Sequence, residues 1–115
     1  NSQYGIGVFS SGTIYAMDML AVPEEIGLTQ NYPNPFNPST TISFSLPVDE
    51  NVTLSVYDIT GRLVTTLVDG SLSAGYHDVT WDGRDMHGSS VSAGLYIYTL
   101  QTEGLSLNRK MMLMK

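Results

Sequence analysis

NYPNPFNPSTTISF, residues 31–44, decides how the rest of this chain is read. Pro33, Pro35 and Pro38 lie two or three residues apart, each with an Asn or Phe beside it. Proline fixes φ at about −65° and pushes the residue before it out of the α region, so the stretch is extended and cannot be helical. The asparagines can fold their side chains back onto the backbone and stabilise turns. Thr41 to Leu46 then alternates polar and apolar, the period of a strand with one buried face. The segment is a rigid entry into the first strand of a β domain.

Working outward, strand signals recur at about ten-residue intervals, the spacing of a sandwich. Val52 to Tyr57 places Val52, Leu54 and Val56 on one face, and Asp58-Ile59-Thr60-Gly61 ends it as a turn. Arg62 to Val68 resumes as a strand, and Asp69-Gly70 and Ala74-Gly75 bracket a loop. In Tyr76 to Trp81, residues His77, Val79 and Trp81 share a face. After a loop marked by Asp82-Gly83 and His87-Gly88, Leu95 to Gln101 sets Tyr96, Tyr98 and Leu100 on one side. A turn at Glu103-Gly104 leads to a last strand, Leu105 to Met114. No stretch shows helical periodicity. The expectation is an all-β, immunoglobulin-like antiparallel sandwich of about six or seven strands. Its core holds Ile42, Phe44, Val52, Leu54, Val56, Val79, Trp81, Tyr96, Tyr98 and Leu100.

The first 22 residues differ. Tyr4 to Phe9 and Thr13 to Val22 read as two strands of a β hairpin, the second apolar on both faces. Such a hairpin cannot stay solvated alone, so this arm is expected to pack on something. Pro23 to Gly27 reads as a linker, dividing the chain into an arm with linker, residues 1–27, and a main domain, residues 28–115. Asn1 stands where an initiator Met would, so a mature form or a piece of a longer protein is expected.

Composition excludes several roles. Charged residues make up 14% of 115 and the net charge is −6, so no basic stripe exists to neutralise nucleic-acid phosphates or an anionic membrane surface. No apolar run is long enough to span a bilayer as a helix. Cysteine is absent, which removes disulfides, thiol catalysis and Cys-ligated zinc.

Candidate chemistry is thin. His77 and His87 are the only general-base candidates near neutral pH, and His87 with Asp85 and Ser89 or Ser90 would be a triad of loop neighbours, so surface loop histidines and no enzyme are expected. Asp78, Asp82 and Asp85 could offer oxygen ligands to calcium, but turn formation by Asp82-Gly83 competes as a reading. No cofactor is called for. Asn51-Val52-Thr53 matches a glycosylation sequon by three residues only. Tyr57, Tyr76, Tyr96 and Tyr98 could form a carbohydrate platform, though strand packing explains them more simply. The end of the chain, Lys110, Met111, Met112, Leu113, Met114 and Lys115, is either a closing strand with flanking lysines or an edge open to β-addition.

The blocks NYPNPFNPSTTISFSLP, VTLSVYDITGRLVTTL, GYHDVTWDGRD, SAGLYIYTL and RKMMLMK, in this order, resemble the type A C-terminal sorting domain of the bacterial type IX secretion system. They are also similar to the immunoglobulin-like domain of flagellar hook-capping proteins. The resemblance covers Leu28 to Lys115. It implies structural roles for Pro33, Pro35, Gly61, Gly94 and Tyr96, and recognition through Lys110 to Lys115, where methionines replace the family's usual β-branched residues. On that basis the first expectation is a non-enzymatic sorting domain, read by an outer-membrane translocon, cut by a sortase-like protease within Pro23 to Gln30, and extracellular or at the cell surface. Two rivals stand beside it. One is a fibre or surface-layer subunit that self-associates through Asn1 to Val22; the other is an adhesive or sugar-binding module.

Overall fold

Alternating side chains on short, turn-bounded segments can bury one face only by stacking two sheets, and the chain does so. The computed structural model describes residues 23–115; the expected arm, Asn1 to Val22, lies outside the described residues. The strands are β1 (Gly27–Leu28), β2 (Thr40–Leu46), β3 (Glu50–Asp58), β4 (Leu63–Leu72), β5 (Gly75–Trp81), β6 (Gly94–Thr102) and β7 (Leu105–Leu113). One sheet has the order β1-β2-β5 and the other β4-β3-β6-β7, every pair antiparallel.

Between the sheets lie Ile42, Phe44 and Leu46 from β2, Val52, Leu54 and Val56 from β3, and Tyr96, Tyr98 and Leu100 from β6. Trp81 is 1% exposed at the end of β5, so the register read from His77, Val79 and Trp81 is the folded one. Its ring meets Tyr96 edge-on at 5.4 Å and Phe36 at 5.6 Å, while its Nε1–H donates to the Arg84 carbonyl at 2.9 Å. A buried indole N–H needs such a partner.

Four readings need correction. Val79 is only half-buried, because β5 is an edge strand with a neighbour on one side. Asp69-Gly70 is not a turn: β4 runs on to Leu72, with Asp69 opposite Thr53 and Gly70 opposite Val52. His77 sits on a strand, not a loop, stacked 5.3 Å from Phe44. Gly27, read as the end of a linker, pairs with Ser45 in β1, and the Thr29 N–H continues that pairing to the Ser43 carbonyl.

The proline-rich segment wires the sandwich together. Asn31 is 2% exposed. Its backbone N–H donates to the Tyr98 hydroxyl at 2.8 Å, and that hydroxyl donates to the Thr29 carbonyl at 2.6 Å. The Asn31 amide donates to Thr40 Oγ1 and the Pro33 carbonyl, and Thr40 Oγ1 donates to the same carbonyl. A buried polar cluster is tolerable when its members are paired, and this one is. Burial raises the pKa of the Tyr98 phenol, keeping it a neutral donor.

The same segment clips the last strand. Phe36, 1% exposed, donates its N–H to the Met112 carbonyl and accepts from the Met114 N–H, a short parallel bridge to β7. Asn34 Oδ1 accepts the Met112 N–H, and Gln30 Nε2 donates to the Lys110 carbonyl. Four outward backbone groups at this end of β7, the Lys110 and Met112 carbonyls and the Met112 and Met114 N–H groups, therefore have partners already. The expectation of an edge open to β-addition there is corrected by these bonds.

Candidate functional site

Two turns of one design frame the end of the sandwich where β3 meets β4. Residues 58–62 read DITGR and residues 85–89 read DMHGS, both D-x-x-G-x. In the first, Asp58 Oδ1 accepts the backbone N–H of Thr60 at 2.9 Å and of Arg62 at 3.0 Å. In the second, Asp85 Oδ1 accepts from His87 at 2.9 Å and Ser89 at 3.0 Å. The glycines at the fourth position, Gly61 and Gly88, have φ of +88° and +84°, a region a side chain would disfavour. Each turn leaves an apolar side chain in solvent at its second position, Ile59 at 70% and Met86 at 56% exposure.

The second turn docks back on the β4 edge of the four-stranded sheet. The Met86 N–H donates to the Val64 carbonyl of β4, and Val91 N–H returns to the Gly83 carbonyl. Between the turns lies an open cleft of about 410 Å³ lined by Arg62, Leu63, Val64, Met86, His87 and Val91. Its neighbour recess reaches Tyr96, whose hydroxyl donates to the Ser92 carbonyl at 2.6 Å.

Both turn aspartates titrate below the usual carboxylate range. The Thr60 hydroxyl, then the Arg62 amide, lower Asp58; the Ser89 amide, then the His87 amide, lower Asp85. A carboxylate with a depressed folded pKa adds stability above its unfolded value and loses it as pH falls through the folded one. The melting temperature should therefore drop on acidification below about pH 4. In the double variant Asp58→Asn/Asp85→Asn that acid limb should flatten; an unchanged limb would show that these turns do not couple to folding.

The residues singled out for chemistry are dispersed. Asp78 stands on β5 and accepts from the Ser43 hydroxyl at 2.6 Å, Asp82 pairs with Arg84 at 3.7 Å, and Asp85 holds its own turn. Among the described residues no group of three or more His, Asp or Glu side chains is placed to hold a metal. His77 bonds the Ser73 carbonyl, while His87 lines the cleft beside Asp85, whose carboxylate is occupied by backbone N–H groups. The tyrosines do not share a surface: Tyr98 and Tyr96 are core, and Tyr76 is 76% exposed.

At the chain end, Met111 and Leu113 are 1% and 2% exposed, whereas Lys110, Met114 and Lys115 face solvent. Gly94 opens β6, and Pro33 and Pro35 flank Asn34 on the exposed side of the entry segment. The sequence reading missed Ile59, Leu63 and Met86 as a shared surface. The repeated D-x-x-G-x spacing was the available signal.

Comparison with known proteins places this geometry. The model of the FlgD Ig-like domain matches residues 34–105. The basal-body rod modification protein FlgD of Salmonella typhimurium is 42% identical over 55 residues, covering 48% of this chain and 23% of that protein. The chain thus matches under a quarter of the curated relative's length. The FlgD structure from P. aeruginosa superposes with a TM-score of 0.53 at 31% identity, covering 64% of this chain and 59% of that one. FlgD from Xanthomonas campestris, described in terms of hook capping essential for flagellar assembly, gives 0.53 at 23% over 76% and 65%. Dimeric latent PorU from Porphyromonas gingivalis gives 0.60 at 24% identity, covering 77% of this chain and 9% of PorU. At 24% and 23% identity, PorU and the Xanthomonas structure speak to the fold alone.

These findings overturn the first functional expectation. The sequence relatives are FlgD proteins, described as basal-body rod modification proteins, and nothing in them points to type IX sorting, a fibre subunit or an adhesive module. The outer-membrane translocon, the sortase-like protease and self-association through Asn1 to Val22 fall as partners with it, as does the extracellular or cell-surface location. At the C-terminus, Met111 and Leu113 of the stretch assigned to recognition are taken up by the core as part of the closing strand.

Proposed function

The chain belongs to the FlgD Ig-like domain family, and on that premise we propose that it serves as the Ig-like domain of a flagellar hook-capping protein, a structural module and not a catalyst. The observation that carries this reading is the 42% identity to Salmonella typhimurium FlgD across 55 residues. The geometry agrees with it. His77 is held by a strand contact, Asp58, Asp78 and Asp85 are held by hydrogen bonds within the fold, and the polar interior is spent on rigidity: the Asn31, Thr40 and Tyr98 cluster and the Phe36 clip. A module of that kind transmits position, not chemistry.

A domain exchange tests the proposal. In a Salmonella strain lacking FlgD, a chimera whose own Ig-like domain is replaced by residues 23–115 of this chain should restore hook formation, scored by electron microscopy and swimming. A second chimera carrying an unrelated immunoglobulin-like sandwich should not. If both chimeras accumulate but behave alike, the hook-capping assignment fails.

A further inference from the structure

The outer face of the four-stranded sheet is divided. Toward the Glu103 turn it is polar: Ser55, Thr99 and Asn108 line up across β3, β6 and β7, with Thr53, Gln101 and Ser106 beyond them. Toward the Asp58 turn it is apolar. Leu63 on β4, Tyr57 on β3 and Ile97 on β6 form one cross-strand row, with Leu95 and Met112 paired beside it. Their neighbours in sequence, Val56, Tyr96 and Met111, point into the core, so alternation turns this set outward. Leu63 is 40% exposed, Ile59 of the adjoining turn 70%, and the other four are partly exposed. An outward sheet face in water is ordinarily polar, and a contiguous apolar patch on one marks a contact surface.

Its charge is unlike that of the whole. The chain carries −6, yet Lys110 continues the Tyr57–Ile97 row and Lys115 follows Met114 just past β7. Neither lysine has an ion-pair partner among the described residues. The nearby carboxylates are engaged, Asp58 by Thr60 and Arg62 and Asp85 by its own turn. Asp49, Glu50, Asp69 and Glu103 sit toward the opposite end, beside the loops that join β2 to β3 and β6 to β7 and in the second half of β4. Lys110 thus places a positive charge at the margin of the apolar patch in an otherwise acidic molecule.

We propose that this face, centred on Tyr57, Leu63 and Ile97, docks a protein partner whose contact surface has an apolar centre bounded by carboxylates. Apolar burial supplies the affinity, and Lys110 sets the sign of the partner. An anionic membrane shares that sign, but it would meet the repulsion of the acidic end and of the net charge. The inference rests on this face alone and is independent of the flagellar reading.

The test uses the full 115-residue chain and a synthetic amphipathic helical peptide with a leucine face flanked by glutamates. A sister peptide flanked by lysines and phosphatidylglycerol vesicles serve as comparisons. The glutamate peptide should bind and shift the backbone amide resonances of Tyr57 and Ile97. Losing the apolar contacts in the double variant Ile59→Ser/Leu63→Ser should weaken it about tenfold or more. Lys110→Glu should cost roughly three- to tenfold and bring the two peptides closer in affinity. Thermal melts of both variants, whose changes are at the surface, confirm that the fold is kept. Equal binding of the two peptides, no binding of the glutamate peptide, shifts confined to another face, or preference for the vesicles would each overturn the assignment.

Discussion

Ending the chain at Asn108 should abolish cooperative unfolding altogether, not merely trim the domain. The truncation removes Met111 and Leu113, 1% and 2% exposed, from between the sheets. Emptying each such site costs about 2–5 kcal/mol, so the pair costs roughly as much as a small domain's whole stability of about 5–15 kcal/mol. The loss does not stop at packing. Phe36 would forfeit both backbone partners, Met112 and Met114, and Asn34 its bond to the Met112 N–H. The entry segment would then be unpinned from the terminal strand while Phe36, packed on Trp81, faced the opened seam. Deleting Lys115 alone should leave the melt nearly unchanged, since its side chain is exposed. Circular dichroism on heating distinguishes the outcomes: a sigmoidal transition retained by the Asn108 truncation would mean that β7 is an appendage.

Much of this fold could be read locally. Alternation in Thr40–Leu46, Glu50–Asp58 and Gly94–Thr102 follows from each strand burying one face, and the core residues expected in them are buried. Alternation fails where geometry is irregular. β4 carries register shifts opposite Leu54/Ser55 and Val56/Tyr57, so its apolar residues lose strict period, and Asp69-Gly70 mimics a turn inside a strand. The proline-rich segment was recognisable as extended, but its task was not. Asn31 reaches Tyr98 across 67 positions and Asn34 reaches Met112 across 78, and no local pattern encodes a partner so distant. The terminal lysines and methionines left two readings open for the same reason: a strand closing a core and a strand offered to a partner have the same composition. Ile59 and Met86 belong to turns far apart in sequence, and only folding brings those two turns to one cleft.

Replacing Trp81 with Ala should lower stability by about 3–5 kcal/mol, the range for a fully buried large aromatic. Trp81 is among the largest of the fully buried side chains and lies against both Phe36 and Tyr96, joining the entry segment to β6. Removing the indole opens a cavity that two aromatic neighbours cannot fill without leaving their own positions. It also strips the Arg84 carbonyl of its donor, Trp81 Nε1–H, at the start of the loop that carries the Asp85 turn. Trp81→Phe separates these contributions. It keeps most of the ring contacts and loses the hydrogen bond, so its cost should be smaller, about 1–3 kcal/mol. Urea midpoints at constant slope give both values. If the two variants were equally destabilised, the hydrogen bond to Arg84 would be the dominant contribution. If Trp81→Ala cost under about 1 kcal/mol, the aromatic cluster would not be the centre of this core. The expected order, with Ala far below Phe and Phe below the parent, follows from packing setting the fold and the indole N–H fixing the loop onto it.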